Sequence, residues 1–138
     1  MNPIDMAECI RKGRSPINKK SVNFVTLAIF APVLVLAGVA GFVIPPQQSL
    51  TSGATPYNIF HIFFGVFGLL LVWSRKEQLI SFFNAGFGLI DIYQAAASFA
   101  HLPPEQYFLW TRVDDILHVV IGLFLTIIGF YGLMRQRA

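Results

Sequence analysis

The chain has 138 residues, 55% of them hydrophobic and only 12% charged, with a formal net charge of +3. That leaves room for one compact unit and too few charges to give every helix of a water-soluble bundle its own solvated face. The single cysteine, Cys9, excludes an internal disulfide. The positive charges sit beside long apolar runs, so no nucleic-acid partner is expected.

Residues 1–21 are polar and basic, carrying Arg11, Lys12, Arg14, Lys19 and Lys20 against Asp5 and Glu8. Asn2-Pro3 reads as an N-cap followed by proline at the first helical position, and Ile4, Ala7 and Ile10 share a face. The segment is either a short helix along a membrane surface or a structureless basic tail. Four apolar stretches follow, at about 22–44, 57–74, 79–102 and 112–134. Each meets or approaches the roughly 20 residues that a helix needs to cross a hydrocarbon layer of about 30 Å. The expectation is an all-α integral-membrane four-helix bundle over residues 22–134, with 135–138 as a short tail.

The first span contains Pro32, which bends a helix but is tolerated where neighbouring helices pack around it. It is also longer than the core of a secretory signal, so it is read as a retained span. Pro45-Pro46 stops it, and a polar loop runs to Pro56. The charged turn Arg75-Lys76-Glu77 separates spans two and three. Span three is the least apolar, with Asn84, Asp91, Tyr93, Gln94 and Ser98. The second loop holds Tyr107, Phe108 and Trp110, residues that favour the headgroup level. Lysine and arginine number five in the N-terminal segment, two in the middle turn and two in the C-terminal tail, whereas the two remaining loops share only Arg112. The positive-inside rule therefore puts both termini in the cytoplasm.

The chain also resembles itself. Asn58, His61, Gly65 and Phe67 return 57 residues later as Asp115, His118, Gly122 and Phe124. Upstream, Pro45-Pro46-Gln47-Gln48 answers Pro103-Pro104-Glu105-Gln106 at an offset of 58, a slip of one residue within the loop. Two hairpins that each start inside, cross and return form a parallel repeat rather than an inverted one, which weighs mildly against alternating-access transport.

Small and polar residues fall on one face of each later span. The stripes are Asn58, His61, Gly65, Gly68 and Val72; then Asn84, Gly88, Asp91, Ala95 and Ser98; then Asp115, His118, Gly122, Leu125, Gly129 and Gly132. Spacings of three and four keep such positions on one side of a helix. Small residues let helices approach and polar ones bond across, while the bulky faces meet lipid. His61 and His118 then lie inside the bundle near its outer end, with Asn58 and Asp115 one turn closer to water.

Three readings of these residues stand side by side. In a polar clamp, each imidazole bonds to the Asn or Asp of the other repeat, because buried ionisable groups are costly unless paired. In a tetrapyrrole site, His61 and His118 ligate haem b or chlorophyll, with Gly65 and Gly122 making room for the ring. In a proton or ion path, Asp91 near mid-span carries the charge. Neither histidine helix has the Glu-x-x-His or His-Glu-x-x-His spacing of metal-binding helices, so no metal site and no enzyme activity are expected.

The motifs Asn58-x-x-His61-x-x-x-Gly65 and Asp114-Asp115-x-x-His118-x-x-x-Gly122 resemble those of an uncharacterised family of small bacterial four-transmembrane-helix proteins. Asp115 stands where that family tends to have asparagine. The resemblance implies a four-helix fold in a prokaryotic inner membrane and brings no activity with it. The expected role is that of an accessory or assembly subunit, in contact with lipid and with other membrane subunits or copies of itself.

Overall fold

A computed structural model of the chain describes residues 21–137. The segment expected to be a surface helix or basic tail, Cys9 included, lies outside the described residues. Every regular element among them is helical: α1 (Val22–Val43), α2 (Thr55–Ser74), α3 (Glu77–Ala100), a single turn α4 (Glu105–Phe108) and α5 (Arg112–Arg137), with a 3-10 turn at Pro46–Gln48. Three of these, α1, α2 and α5, are long and apolar enough to cross a membrane.

Local chemistry sets the ends. Ser21 caps α1 by accepting the Phe24 amide at 3.0 Å. Helix α2 starts at Thr55, two residues ahead of the expected Tyr57, because Pro56 suits a first turn whose amides have no helical partner. It stops at Arg75, whose left-handed φ of 54° reverses the chain directly into α3. Helix α5 runs past Met134 to Arg137, and Gln136 donates to the Ser81 hydroxyl at 3.1 Å.

These contacts sort the molecule into two ends. Ser21 donates to Glu77 and Gln136 to Ser81, so the start of α1, the start of α3 and the end of α5 lie together. At the opposite end the two long loops meet. The Ser52 hydroxyl donates to the Phe108 carbonyl at 2.5 Å, and the Thr111 hydroxyl reaches the Leu50 carbonyl at 2.9 Å.

Helix α1 packs chiefly on α2, and α3 on α5; contacts between the pairs are thinner, and α3 packs on every other helix. The pairs are close because glycines admit a neighbouring backbone. A methyl group on Gly65 would lie 2.7 Å from the Val35 amide nitrogen and 2.9 Å from the Ala31 carbonyl oxygen. One on Gly122 would lie 2.9 Å from the Gly88 carbonyl oxygen and 3.0 Å from the Ile92 side chain. Gly65 and Gly122, Ala31 and Gly88, and Val35 and Ile92 each stand 57 positions apart.

Between the pairs lies a core of Leu27, Ala31, Leu34, Ile80, Phe83, Phe87 and Leu125, in which the rings of Phe83 and Phe87 stack at 5.6 Å. The expected stripes of α2 and α5 are the buried faces, except that Val72, Asp115 and Gly132 are half-buried. On α3 the burial drifts toward Gln94 and Ala97, leaving Ala95 and Ser98 half-buried. Bulky side chains such as Ile29, Leu36, Phe63, Leu70, Val120 and Ile127 point outward. Helix α3, which buries Ser81, Asn84, Asp91 and Gln94, is enclosed by the other helices.

Gly65→Ala should lower stability in detergent by about 1–3 kcal/mol, because the methyl group would strike backbone that cannot turn aside. Gly86, where an added methyl group would meet nothing within 4 Å, is the control. There the same change should be neutral or stabilise by up to about 1 kcal/mol through helix propensity. Thermal unfolding of both variants checks the pair, and equal effects would mean that the close approach at Gly65 is not limiting.

Candidate functional site

The polar residues gather at the loop end around one carboxylate, Asp114, which is 1% exposed. Thr111 precedes α5 and Asp114 is its third residue, so the two form a capping box. The Asp114 amide donates to the Thr111 hydroxyl at 3.2 Å, and the Asp114 carboxylate accepts the Thr111 amide at 2.8 Å. That carboxylate also accepts the Ser52 amide at 2.8 Å and the Tyr57 hydroxyl at 2.7 Å. The Thr111 hydroxyl lies 2.9 Å from it and shares its one proton between Asp114 and Leu50. One side chain thus ties the first loop, α2 and the start of α5. Such a carboxylate is satisfied by its own chain, the condition under which a buried charge is tolerated.

Asp115, expected on the buried stripe, is only half-buried, and its Oδ1 is enclosed without a partner. A helix buries either the third or the fourth residue before His118 with similar ease, and the capping box selects the fourth. Tyr57 and Asp114, which meet across the two halves, are themselves 57 apart. The sequence carried this hub as Thr-x-x-Asp just before an apolar run, a capping signal that the repeat alignment at Asp115 outweighed.

Both histidines point inward, His61 being 7% and His118 5% exposed. Their partners differ from the expected crosswise Asn and Asp. His61 Nδ1 lies 2.8 Å from the Tyr57 carbonyl of its own helix, which makes Nδ1 the donor, and its ring rests 4.0 Å from that of Tyr57. His118 meets the edge of Trp110 at 6.0 Å, and its Nδ1 is buried without a partner among the described residues. Neither imidazole is hydrogen-bonded to Asp114. Asn58 is fully buried and donates to the Gly53 carbonyl at 3.2 Å, while its Oδ1 has no partner.

A flat macrocycle does not fit where the sequence left room for one. The space beside Gly65 is filled by Ala31 and Val35, and that beside Gly122 by Gly88, Asp91 and Ile92. The glycines serve helix contact, so a haem b or chlorophyll ring would have to part both pairs. The aromatic loop divides: Phe108 and Trp110 pack inward, Phe108 at 5.6 Å on Phe60, whereas Tyr107 and Leu109 stay exposed.

Asp91 lies apart from the hub, midway along α3. It is 4% exposed, abuts Gly122, and makes no hydrogen bond among the described residues. No group of three or more metal-ligating side chains occurs among the described residues. Compared with protein-family models, curated proteins and solved structures, the chain matches none.

Asp114→Ala should cost about 3–5 kcal/mol, since it strands two amides and a phenol at once. Tyr57→Phe removes one bond to a charged acceptor and should cost roughly 1.5–3 kcal/mol. Asp115→Asn should stay within about 1 kcal/mol of the parent. Chemical unfolding in micelles ranks the three, and comparable losses at positions 114 and 115 would rule out a single hub.

Proposed function

We propose that the chain is a small, non-enzymatic integral-membrane subunit that packs against a larger membrane complex or against copies of itself. In this reading all four long helices cross the bilayer as a four-helix bundle of two tandem hairpins, both termini are cytoplasmic, and the Asp114 hub is a polar clamp on the outer rim. The observation that carries it is the destination of the polar groups. The most buried carboxylate spends its hydrogen bonds on its own backbone and on Tyr57, while the outward faces of α1, α2 and α5 are bulky and apolar. That division is what a lipid solvent favours.

Three further facts support the arrangement. The ends of the described chain lie at one end of the molecule, as an even number of crossings requires. The turn at Arg75-Lys76 belongs to that same end, and the loops opposite it hold only Arg112, the asymmetry of a cytoplasmic face. The glycine contacts recur at the 57-residue offset, as two copies of one hairpin would give. The resemblance to bacterial four-helix membrane proteins favours the prokaryotic inner membrane. Tyr107 and Leu109, exposed on the outer loop, are the side chains a partner would meet first.

Membrane-impermeant maleimide applied to intact cells tests the topology. Cysteines introduced at Ser49 and Gln106 should label at once, whereas Cys9 and a cysteine at Lys76 should label only after permeabilisation. Extraction from native membranes in mild detergent should give a particle larger than one 15.4 kDa chain with its micelle. A strictly monomeric particle would refute the assembly role, and labelling of Ser49 and Lys76 from the same side would refute the crossings.

A further inference from the structure

The seam between α3 and α5 carries a row of polar groups that packing does not account for. Asn84 Oδ1, Thr126 Oγ1, Gln94 Oε1 and His118 Nδ1 are all buried without partners among the described residues. Asp91, 4% exposed and also unbonded, sits in the middle of the row. Helix contacts fix the order. Thr126 lies against Gly88 and Asp91 against Gly122, so His118, one turn beyond Gly122, is near the level of Gln94. From Asn84 to Gln94 the row spans about 15 Å of helix, roughly half a bilayer core.

Each end of the row meets a polar surface. Asn84 bonds at 2.8 Å to Asn23, and Asn23 lines a cleft of about 560 Å³ with Ser81, Glu77 and Arg135 at the end where the chain termini lie. His118 leads to the rim that holds Asp115 and Asp114. The other seam is the internal control. At the 57-residue offset, α1 has Leu27 for Asn84 and Leu34 for Asp91, both buried, whereas Leu69 of α2, which answers Thr126, is exposed. At the two α1 positions leucine therefore serves the same helix packing, and Asn84 and Asp91 on α3 are surplus to it.

Resting on the reading that all four helices cross the bilayer, we infer that this seam conducts protons, with the Asp91 carboxyl as the relay between the inner cleft and the outer rim. Buried acceptors without donors call for water or a proton, and intramembrane carboxyls mark such paths. A metal cation would need several oxygens converging on one point, whereas these are strung along the axis. The other titratable groups facing this stretch are Tyr57 and His61 on α2 and His118 on α5, with Asp114 at the rim. Helix α1 presents Leu27, Ala31 and Leu34, and Glu105 of α4 lies beyond the rim. In each passage the carboxylate accepts a proton from one side and releases it to the other, so no bond or electron is consumed.

The test is the full chain in liposomes loaded with a pH-sensitive dye, with a potassium diffusion potential applied through valinomycin. Vesicles with protein should change internal pH about tenfold faster than protein-free vesicles. Asp91→Asn should return the rate to baseline, Thr126→Val should slow it, and Asp91→Glu should restore part of it. In the parent protein, dicyclohexylcarbodiimide, which attacks protonated carboxyls inside membranes, should modify Asp91 and block the flux, a readout that does not depend on any variant folding. Protein that floats with the vesicles but gives no flux, or an Asp91→Asn variant at the parent rate, overturns the proton path alone. Protein that fails to float overturns the membrane reading and the path with it.

Discussion

The arrangement depends on places where helix backbones meet without side chains between them, among them Gly65 against Ala31 and Val35, and Gly122 against Gly88 and Ile92. In water, apolar side chains would drive helices together by leaving solvent. In the membrane setting we propose, that gain vanishes, and association falls to close van der Waals contact and bonds across the seam. A glycine opposite an alanine or another glycine maximises the first. It also favours an axial register that brings the small residues level. Everything nearer the loop end, including the depth of His61 and His118, follows from that register.

Much of this was legible in the sequence because both signals are periodic. Small residues three and four apart mark a seam wherever they occur, and on α2 and α5 the marked faces are the buried ones. The recurrence of Asn58–Gly65 as Asp115–Gly122 pointed to the paired packing of the helices. Partners were less legible. Whether Asp114 or Asp115 turns inward depends on Thr111 and Ser52, residues of two loops whose meeting no periodicity announces. The pairing of His61 with a carbonyl of its own helix is likewise a choice between two acceptors of similar reach. Span three reads as the least apolar, and it packs on every other helix.

The polar groups divide by how completely they are satisfied. At the loop end, where chain reversals offer free amides, Asp114 accepts the Ser52 and Thr111 amides and the Tyr57 hydroxyl, while Asn58 Oδ1, Asp115 Oδ1 and Trp110 Nε1 are buried without partners among the described residues. At the opposite end Asn23 donates to the Ile128 carbonyl at 2.8 Å and accepts from Asn84, closing the seam with amides alone. In the middle, backbone donors are already committed to the helices, so a side chain there can be satisfied only by another side chain or by something that enters. Asp91, Gln94 and Thr126 occupy that middle.

Two helix pairs whose contacts recur 57 positions apart make the cost of that middle row measurable within one molecule. Both pairs have the small-residue contacts and an inward histidine, so those belong to the packing itself. Only the second has Asn84 and Asp91 where the first buries Leu27 and Leu34. Burying polar groups without partners costs on the order of 1–3 kcal/mol each, a large fraction of the stability of a small domain. A sequence free to keep leucine at these positions, as its first half does at Leu27 and Leu34, gains nothing in stability from the exchange. The asymmetry between two otherwise matching seams therefore separates what holds the helices together from what the seam is for.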